Sequence, residues 1–442
     1  MAKQLGSQAV VVGAGMGGLA AAAALSPFFS KVSVYDKDAR ADGPALRAGV
    51  GQGAHTHTLL KGGETAIEGL LPGFTKALYA AGGVPLRVGM DVQFLDFAGV
   101  MPDADTGFDI TAMSRPMYEA VLRQELMKSG TVSISYEAPA KRFIIEGGTC
   151  VGVELEDGAR INADLVVDAT GMTGPLAAQL ASDGHTEFAT EEIKINVAYT
   201  TGKFRQPEKY RGERKGFFVL PGPPSPYFGL MLPIEDNQWI VSLGGRGANT
   251  PPRDIAGFRD YASRYPALDI YNRIKDAEPT SDLRVFRKTF ATRRRFDQSH
   301  KWPQRLIPVG DAMSSVNPTY GQGMSVAAMQ AAELARQLTA RDNLDGLDKA
   351  FLPAAFAISE RAWGLAINSD YVYPETEGPR PANFEVSRTM AGVLRKLAQD
   401  DMDFRLFRLR FGQLLETDQA LREGPLAMRF FAALQGSMSP PG

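Results

Sequence analysis

Few side chains in this sequence could carry chemistry unaided. Cys150 is its only cysteine, which excludes an intrachain disulfide, a Cys-x-x-Cys redox pair and a cysteine-held metal cluster, and suits a reducing compartment. The four histidines, His55, His57, His185 and His300, are too few and too scattered for a His-based metal centre, so no metal is expected. His55 and His57 stand two residues apart in a Gly-rich segment that opens at Arg47. With ordinary pKa values near neutrality, either could take a proton from an acidic hydroxyl, or simply hydrogen-bond the loop that bears it.

A stronger signal is built from glycine. Gly13-Ala-Gly15-Met-Gly-Gly18 follows the β-branched run Ala9-Val-Val-Val12 and precedes an Ala-rich stretch ending at Leu25; a second run, Val32-Ser-Val-Tyr35, ends at Asp36. Strand, glycine turn, helix, strand and terminal acid, in that order, make a dinucleotide-binding fingerprint. Gly13 permits the tight turn, Gly15 lets backbone approach a pyrophosphate, and Gly18 lets the helix lie close to the strand. The helix N-terminus then stabilises a diphosphate through free N–H groups, and Asp36 is placed to accept hydrogen bonds from an adenosine ribose. NAD and FAD both use such a turn. The same glycines interrupt the apolar run behind Lys3, which therefore reads neither as a secretory leader nor as a membrane span.

Roughly 300 residues further on the pattern returns. Arg305-Leu-Ile-Pro-Val309 reads as a strand ending at Gly310-Asp311. Asn317-Pro318-Thr-Tyr-Gly321-Gln322-Gly323-Met324 is a polar, Gly-rich loop, and an Ala-rich helix over 325–338 follows directly. Two anion-facing helix ends suit a ligand longer than a mononucleotide, with phosphate at the first and another electron-rich group, such as a ring that becomes anionic on reduction, at the second. The plainer reading makes Asp311 a turn cap and Met313, Met324 and Met329 core filler.

The elements that must position these residues fill a 442-residue chain, enough for about two to four domains. Its 48 Lys+Arg against 50 Asp+Glu, without a long basic run, lack the footprint of a nucleic-acid binder. Ser114-Arg115-Pro116 opens a helix running through Leu126, with Ser114 as cap and Pro116 in the first turn. Alternating stretches at 132–136, 142–145, 151–155 and 160–162 read as a meander, and a buried run, Leu165-Val-Val167, ends at Asp168-Ala-Thr170-Gly171. From about 193 to 296, strand-like runs punctuated by Pro and Gly predict a separate, mostly antiparallel sheet. Phe217-Phe-Val219 and Tyr227-Phe-Gly-Leu-Met231 line a dry pocket there, or are ordinary sheet core. Arg293-Arg-Arg295 reads as a solvated strand end, and 404–415 as a packing helix rather than a membrane contact.

Three segments together, Gly13 to Gly18 with Asp36, Ala163-Asp-Leu-Val-Val-Asp168-Ala-Thr-Gly171, and Arg305 to Asp311 with Tyr320-Gly-Gln-Gly-Met324, resemble the FAD-dependent monooxygenases of the para-hydroxybenzoate hydroxylase fold, a group of aromatic hydroxylases and polyene epoxidases. The resemblance implies an α/β fold: a single Rossmann-type FAD-binding domain, an inserted mostly antiparallel β-sheet substrate domain and a C-terminal helical segment. FAD-binding parts are expected at 1–82, 113–185 and 301–342, substrate sheet at 83–112 and 186–300, and the helical region at 343–442. It further implies that Asp311 binds the ribityl or pyrophosphate region, that Gly310, Pro318, Gly321, Gln322, Gly323 and Met324 form the turn against the isoalloxazine, and that Arg47 and Arg115 hold the FAD chain. Gly171 would flank the flavin, with His55 and His57 near it on the substrate side.

The implied reaction inserts one oxygen atom from O2 into an apolar small molecule, by hydroxylation or epoxidation through a flavin C4a-hydroperoxide, in cytoplasmic secondary metabolism. Electrons would come from NAD(P)H or as reduced flavin from a partner reductase. The second route arises because Thr170-Gly171, with Gly174-Pro175-Leu176 after it, replaces the Asp-Gly pair and later Ser and Arg usual in the hydroxylases. Two alternatives remain: an FAD-dependent reductase or dehydrogenase of an isoprenoid or polyketide-like substrate, whose motif resembles Asp168-Ala-Thr-Gly171, and a non-enzymatic flavin-binding module. The tryptophans, Trp239, Trp302 and Trp363, are too far apart for the Trp-x-Trp-x-Ile-Pro signature of flavin halogenases.

Overall fold

Ala9, Val10, Val11 and Val12 are apolar on both faces of their strand, as a central parallel strand must be, and all four are buried. In the computed structural model, which describes residues 3–172, 175–223 and 225–438, the strand Gly6–Val12 is the middle of a five-stranded, all-parallel sheet. The order across it is Leu306–Pro308, Leu165–Asp168, Gly6–Val12, Phe29–Tyr35 and Val132–Ser135. Register places Val12 beside both Asp168 and Tyr35, and Asp168 beside Pro308. The three motif ends, at Asp36, Asp168 and Gly310-Asp311, therefore meet on one carboxyl edge, where open parallel sheets bind their ligands.

Two local expectations fail here. The stretch 132–136 is not part of the meander; it is the outer parallel strand Val132–Ser135. Its alternation fits either setting, and what decides is the preceding helix Arg115–Met127, which supplies the crossover that a parallel partner requires. The other stretches do form an antiparallel three-stranded sheet, Ala140–Glu146, Thr149–Leu155 and Arg160–Asn162. Ser114 occupies the N-cap position, but its hydroxyl makes no capping bond; its backbone N–H is held instead by Glu235, at 3.0 Å.

The helix Met16–Leu25 is apolar all round because it is packed all round, against the parallel sheet and against the helix Gly323–Thr339. Small residues let the two approach: a Cβ on Gly17 would lie 3.3 Å from that of Ala327, and Ala20 and Ala24 cluster with Ala331. The contacts recur in the same order along both helices, so the pair run parallel and their N-termini open on the same edge.

A second sheet of eight strands lies over this body, in the order Ser314–Ser315, Arg284–Arg294, Thr190–Arg205, Gln238–Arg246, Phe228–Ile234, Gly216–Val219, Val92–Asp96, Gly99–Val100. All neighbours are antiparallel except Gly216–Val219 with Val92–Asp96. Period-two alternation gives it two unlike faces. Phe204, Phe217, Met231, Trp239, Val241 and Leu243 point outward under the helices Ile255–Ala262 and Asp269–Ile274. Tyr199, Thr201, Ser242, Arg246, Phe228, Phe286 and Lys288 occupy the other face, toward the body. The aromatic runs expected to line a pocket thus divide, with Phe217, Val219 and Met231 in the outer core and Phe228 on the inner face.

The C-terminal helices Leu347–Asp370, Phe384–Asp400, Met402–Gly412 and Ala427–Met438 pack over the junction of the layers. Trp363 and Ile367 press on Ile193, Tyr199 and Phe228; Leu409 joins Leu232 and Ile240; and Gln413 accepts the Lys61 and Gly62 N–H groups at 2.9 Å, capping the helix Lys61–Leu70. Nor is Arg293-Arg-Arg295 a solvated end. Arg293 is buried over the Trp363 ring and paired to Glu191 and Glu360, while Arg295 pairs with Glu191 and Asp297, so the run clamps sheet to helix. Among the described residues, no helix is long and apolar enough to cross a membrane.

Candidate active site

The glycines of the first turn serve two different ends. Gly13 has φ 103°, a conformation L side chains rarely adopt, and a Cβ there would lie 2.4 Å from the Ala169 carbonyl oxygen. A Cβ on Gly18 would lie 1.8 Å from the Gly13 carbonyl oxygen. Both are demanded by the fold. Gly15 is not: its φ of −75° is open to any residue, and a Cβ there would meet only the Arg47 guanidinium, at 3.6 Å. Glycine at 15 leaves the helix end accessible to a ligand.

Neither Met16–Leu25 nor Gly323–Thr339 carries a side-chain cap or an acid in its first turn, so neither positive dipole end is neutralised from within its own helix. Ahead of the second, Pro318 opens a 3-10 turn that Gly321 closes at φ 66°. The Gln322 Oε1 there is buried without a partner, and a Cβ on Gly323 would lie 3.6 Å from Asp311 Oδ1. Met324 and Met313 are buried core, as the plainer reading has it. A buried Gln322 amide oxygen left unspent beside the free N–H groups of a helix's first turn fits a flavin-type ring edge, and the first helix end fits a diphosphate.

Asp36 accepts hydrogen bonds from the Ala14 and Asp38 N–H groups and from Arg47 at 3.1 Å. Arg47 also reaches Asp38 at 3.3 Å and Glu119 at 3.0 Å, and Arg115 donates to Glu119 at 2.8 Å. Burial alone would raise the Glu119 carboxyl, but Arg115 and Arg47 hold it below the usual carboxylate range. Asp38 and Glu119 are additions to the sequence-derived set. Only Glu119, four residues after Arg115 on one helix face, left a legible sign.

At the middle motif, Thr170 donates from both N–H (3.0 Å) and hydroxyl (2.6 Å) to Asp168, a buried carboxyl raised by desolvation. Gly171 follows at φ 80°; Gly174 lies outside the described residues. Arg294, from the eight-stranded sheet, donates to the Met172 and Ala312 carbonyls, both at 3.0 Å, and ties this loop to the Gly310-Asp311 turn. Lys288 Nζ donates to Ser315 Oγ at 2.7 Å, and the Ser315 hydroxyl to Asp311 at 3.2 Å; burial lowers the Lys288 pKa.

His55 is buried against the inner face of the sheet, edge-on to Tyr199 (centroids 4.7 Å apart) and Phe286 (5.7 Å), with Nδ1 2.7 Å from Thr201 Oγ1. Burial pushes its pKa down to about 4. Half-buried His57 is pushed down to about 3, by burial and then by the charge of Arg115. The segment is anchored where Leu60 N–H donates to Ser325 Oγ at 2.9 Å, in the first turn of the second helix. It therefore bridges the Arg47/Arg115 cluster and the Gly321–Met324 turn. Next to that turn, Arg246 and Asp370 form a fully buried ion pair, with Asn317 donating to Asp370 at 2.8 Å and Tyr320 at 3.2 Å.

A family model described as an FAD binding domain matches residues 7–346. The chain belongs to this FAD-binding family. It is similar to Protein Rv3254 of Mycobacterium tuberculosis, 32% identical over 351 residues that cover 76% of this chain and 73% of the other. Among solved structures it is similar to the flavin-dependent brominase Bmp2, at 15% identity and TM-score 0.65 over 98% of this chain and 99% of that one. It is also similar to 2-methyl-3-hydroxypyridine-5-carboxylic acid oxygenase, at 18% identity and TM-score 0.63 over 93% and 98%. At such identities the structural likeness is one of fold, the α/β fold with an added antiparallel sheet expected above. By that family the chain is an FAD-binding protein.

Proposed function

We propose that this flavoprotein transfers one atom of O2 to an apolar small molecule, by hydroxylation or epoxidation, in secondary metabolism. One observation carries the reading: two uncapped helix ends share a single edge, and the aromatic inner face of the substrate sheet, against which His55 packs, closes over it. When bound, FAD supplies the electrons and the activation of O2. The Gly13–Gly18 turn would hold the pyrophosphate, Asp36 the adenosine ribose, Arg47 and Arg115 the connecting chain and Asp311 the ribityl region. Gly310, Gly171, Pro318 and Gly321 to Met324 would surround the ring. The cofactor body is then assembled from 1–82, 113–185 and 301–342. Tyr199, Phe228 and Phe286 keep water from the oxygen-transfer site, and His55 handles the proton of a substrate hydroxyl. The electrons come from NAD(P)H or from reduced flavin delivered by a partner reductase. Arg294 beside the middle motif, a guanidinium that the motif itself lacks, supports NAD(P)H.

Two variants test the site. Asp311→Ala and Gly15→Val are each expected to weaken FAD binding at least about tenfold, read from bound-flavin absorbance after incubation with FAD, while leaving the far-ultraviolet circular dichroism unchanged. Flavin retained in both would overturn the assignment. Bleaching of bound FAD by NADH or NADPH under nitrogen identifies the donor. Product formed under oxygen but not under nitrogen separates an oxygenase from a reductase of isoprenoid or polyketide-like substrates.

A further inference from the structure

Two arginines of the C-terminal helices share one carboxylate. Asp96 closes the strand Val92–Asp96, one strand in from the edge of the eight-stranded sheet, and both of its oxygens are engaged. Oδ1 accepts the Ala98 N–H at 2.8 Å, and Oδ2 is paired with Arg408, from the helix Met402–Gly412. Arg395, from the helix Phe384–Asp400, stands 3.9 Å from the same Oδ2, beyond hydrogen-bonding distance, with its guanidinium 4.7 Å from the centre of the Phe97 ring. Arg408 Nη1 is buried without a partner. The cluster thus sets two positive charges against one negative. Burial, and then the like charge of Arg408, lowers the Arg395 pKa, and the groups that oppose the shift are Asp96 and Tyr320. A guanidinium does not escape such a position by losing its proton, so an anion is what relieves it.

The cluster is open to solvent and borders the turn before the second helix. The Arg395 side chain is 28% exposed and Phe97 is 56% exposed, so a ligand reaches both. Tyr320, which acts electrostatically on Arg395, directly precedes Gly321, and its hydroxyl donates at 3.2 Å to Asp370, already neutralised by Arg246. We propose that Arg395 and Arg408 bind the carboxylate of an otherwise apolar substrate, with Phe97 against its apolar body. The proposal rests on the monooxygenase reading, in which the Gly321 turn faces the ring, and gives the apolar substrate of that reading one anionic end. A carboxylate suits the cluster in charge and in shape. Its single negative charge balances the surplus, and a forked guanidinium meets both of its oxygens at once. Both arginines lie beyond residue 346, where the match to the FAD-binding family ends, so the feature belongs to the C-terminal helices rather than to the cofactor body.

Two measurements on FAD-loaded protein test the site, and the first needs no ligand. Arg395→Gln removes the surplus charge, so its urea midpoint is expected to equal or exceed that of the parent. A midpoint below the parent would make Arg395 a structural partner of Asp96 and overturn the proposal. In the second, calorimetry compares benzoate and hexanoate with the neutral benzamide and hexanamide. At least one carboxylate is expected to bind tenfold or more tightly than its amide, Arg395→Gln to erase that preference, and Arg395→Lys, which keeps the charge without the fork, to restore part of it. No carboxylate preference in the parent, or one that survives Arg395→Gln, would overturn the site. The bound carboxylate is also expected to perturb the visible absorbance of FAD; binding without that change would overturn its assignment to substrate. Failure of the monooxygenase reading appears separately, as absence of flavin-dependent oxygen uptake, and leaves the urea midpoints and the charge preference readable.

Discussion

The carboxyl edge of the parallel sheet and the sheet face opposite it are built by opposite means. At the edge, the groups offered to a ligand are mostly backbone: two helix ends, the turn at Gly15 and the turn at Gly321, all exposed to the ligand by the absence of side chains. On the sheet face the polar groups are side chains drawn from distant elements and buried against one another, as in His55 with Thr201 and Ser242, or Arg246 with Asp370. A backbone site tolerates no added atoms where the chain crosses itself, whereas a side-chain site tolerates no missing partner. The comparison predicts different failures in the two regions.

The largest effect belongs to the crossing point. Gly18→Ala places a Cβ 1.8 Å from a backbone oxygen, which no rotamer change relieves, so the helix must lift from the strand. Urea unfolding of the variant is expected to show a loss of roughly 4 kcal/mol or more, the range of exceptional single substitutions. Gly15→Ala, three residues away in the same motif, should unfold almost as the parent does, because its Cβ meets only the end of a flexible arginine. Equal losses in the two variants would erase the distinction between folding and binding glycines.

On the sheet face the corresponding experiment removes a partner. Arg246→Met leaves the Asp370 carboxyl, already raised by burial, facing Asn317 and Tyr320 without a cation. Breaking a buried pair from one side costs about 3–5 kcal/mol, and replacing both members with apolar residues costs much less. Urea midpoints should therefore place Arg246→Met well below the double variant Arg246→Met with Asp370→Leu. A double variant no better than the single would show that the pair is held for its shape rather than its charge.

This contrast also explains what was legible in the sequence. Gly13, Gly15, Gly18 and Asp36 are close in the chain and each answers a local steric or hydrogen-bonding need, so their spacing reveals the fold of the edge before any coordinates. The same holds for Gly310-Asp311 and the turn before Gly323. Thr201, Ser242, Arg246, Lys288 and Asp370 come together only through strand register, with the bulge between Lys194 and Val197 setting which side chains face inward. No local pattern marks them. Val132–Ser135 was misplaced for the same reason, since alternation identifies a strand but not its neighbour. Arg293 read as solvated because its acidic partners, Glu191 and Glu360, lie far away in the chain.

The smallest effect tests the burial of His55. In the unfolded chain the imidazole titrates near 6.5, whereas in the fold it is held to about 4 by burial. Above pH 6.5 both states are neutral and stability is full. As pH falls below 6.5 the unfolded chain gains a proton that the folded one refuses, so stability drains away until about pH 4, where the folded imidazole also titrates. Between pH 7 and pH 5 this costs about 2 kcal/mol, at up to about 1.4 kcal/mol per pH unit. Half-buried His57, beside Arg115, adds in the same direction but less, since solvent screens it. Buried Asp168 and Asp370, both raised by desolvation, act oppositely by taking up protons in the folded state. The measurement is therefore a difference: His55→Gln should lose less stability between pH 7 and pH 5 than the parent, in paired urea titrations, by about 2 kcal/mol. Parallel pH profiles in the two proteins would mean that the imidazole is open to solvent, and the sheet face would then have no sealed side to contrast with the open edge.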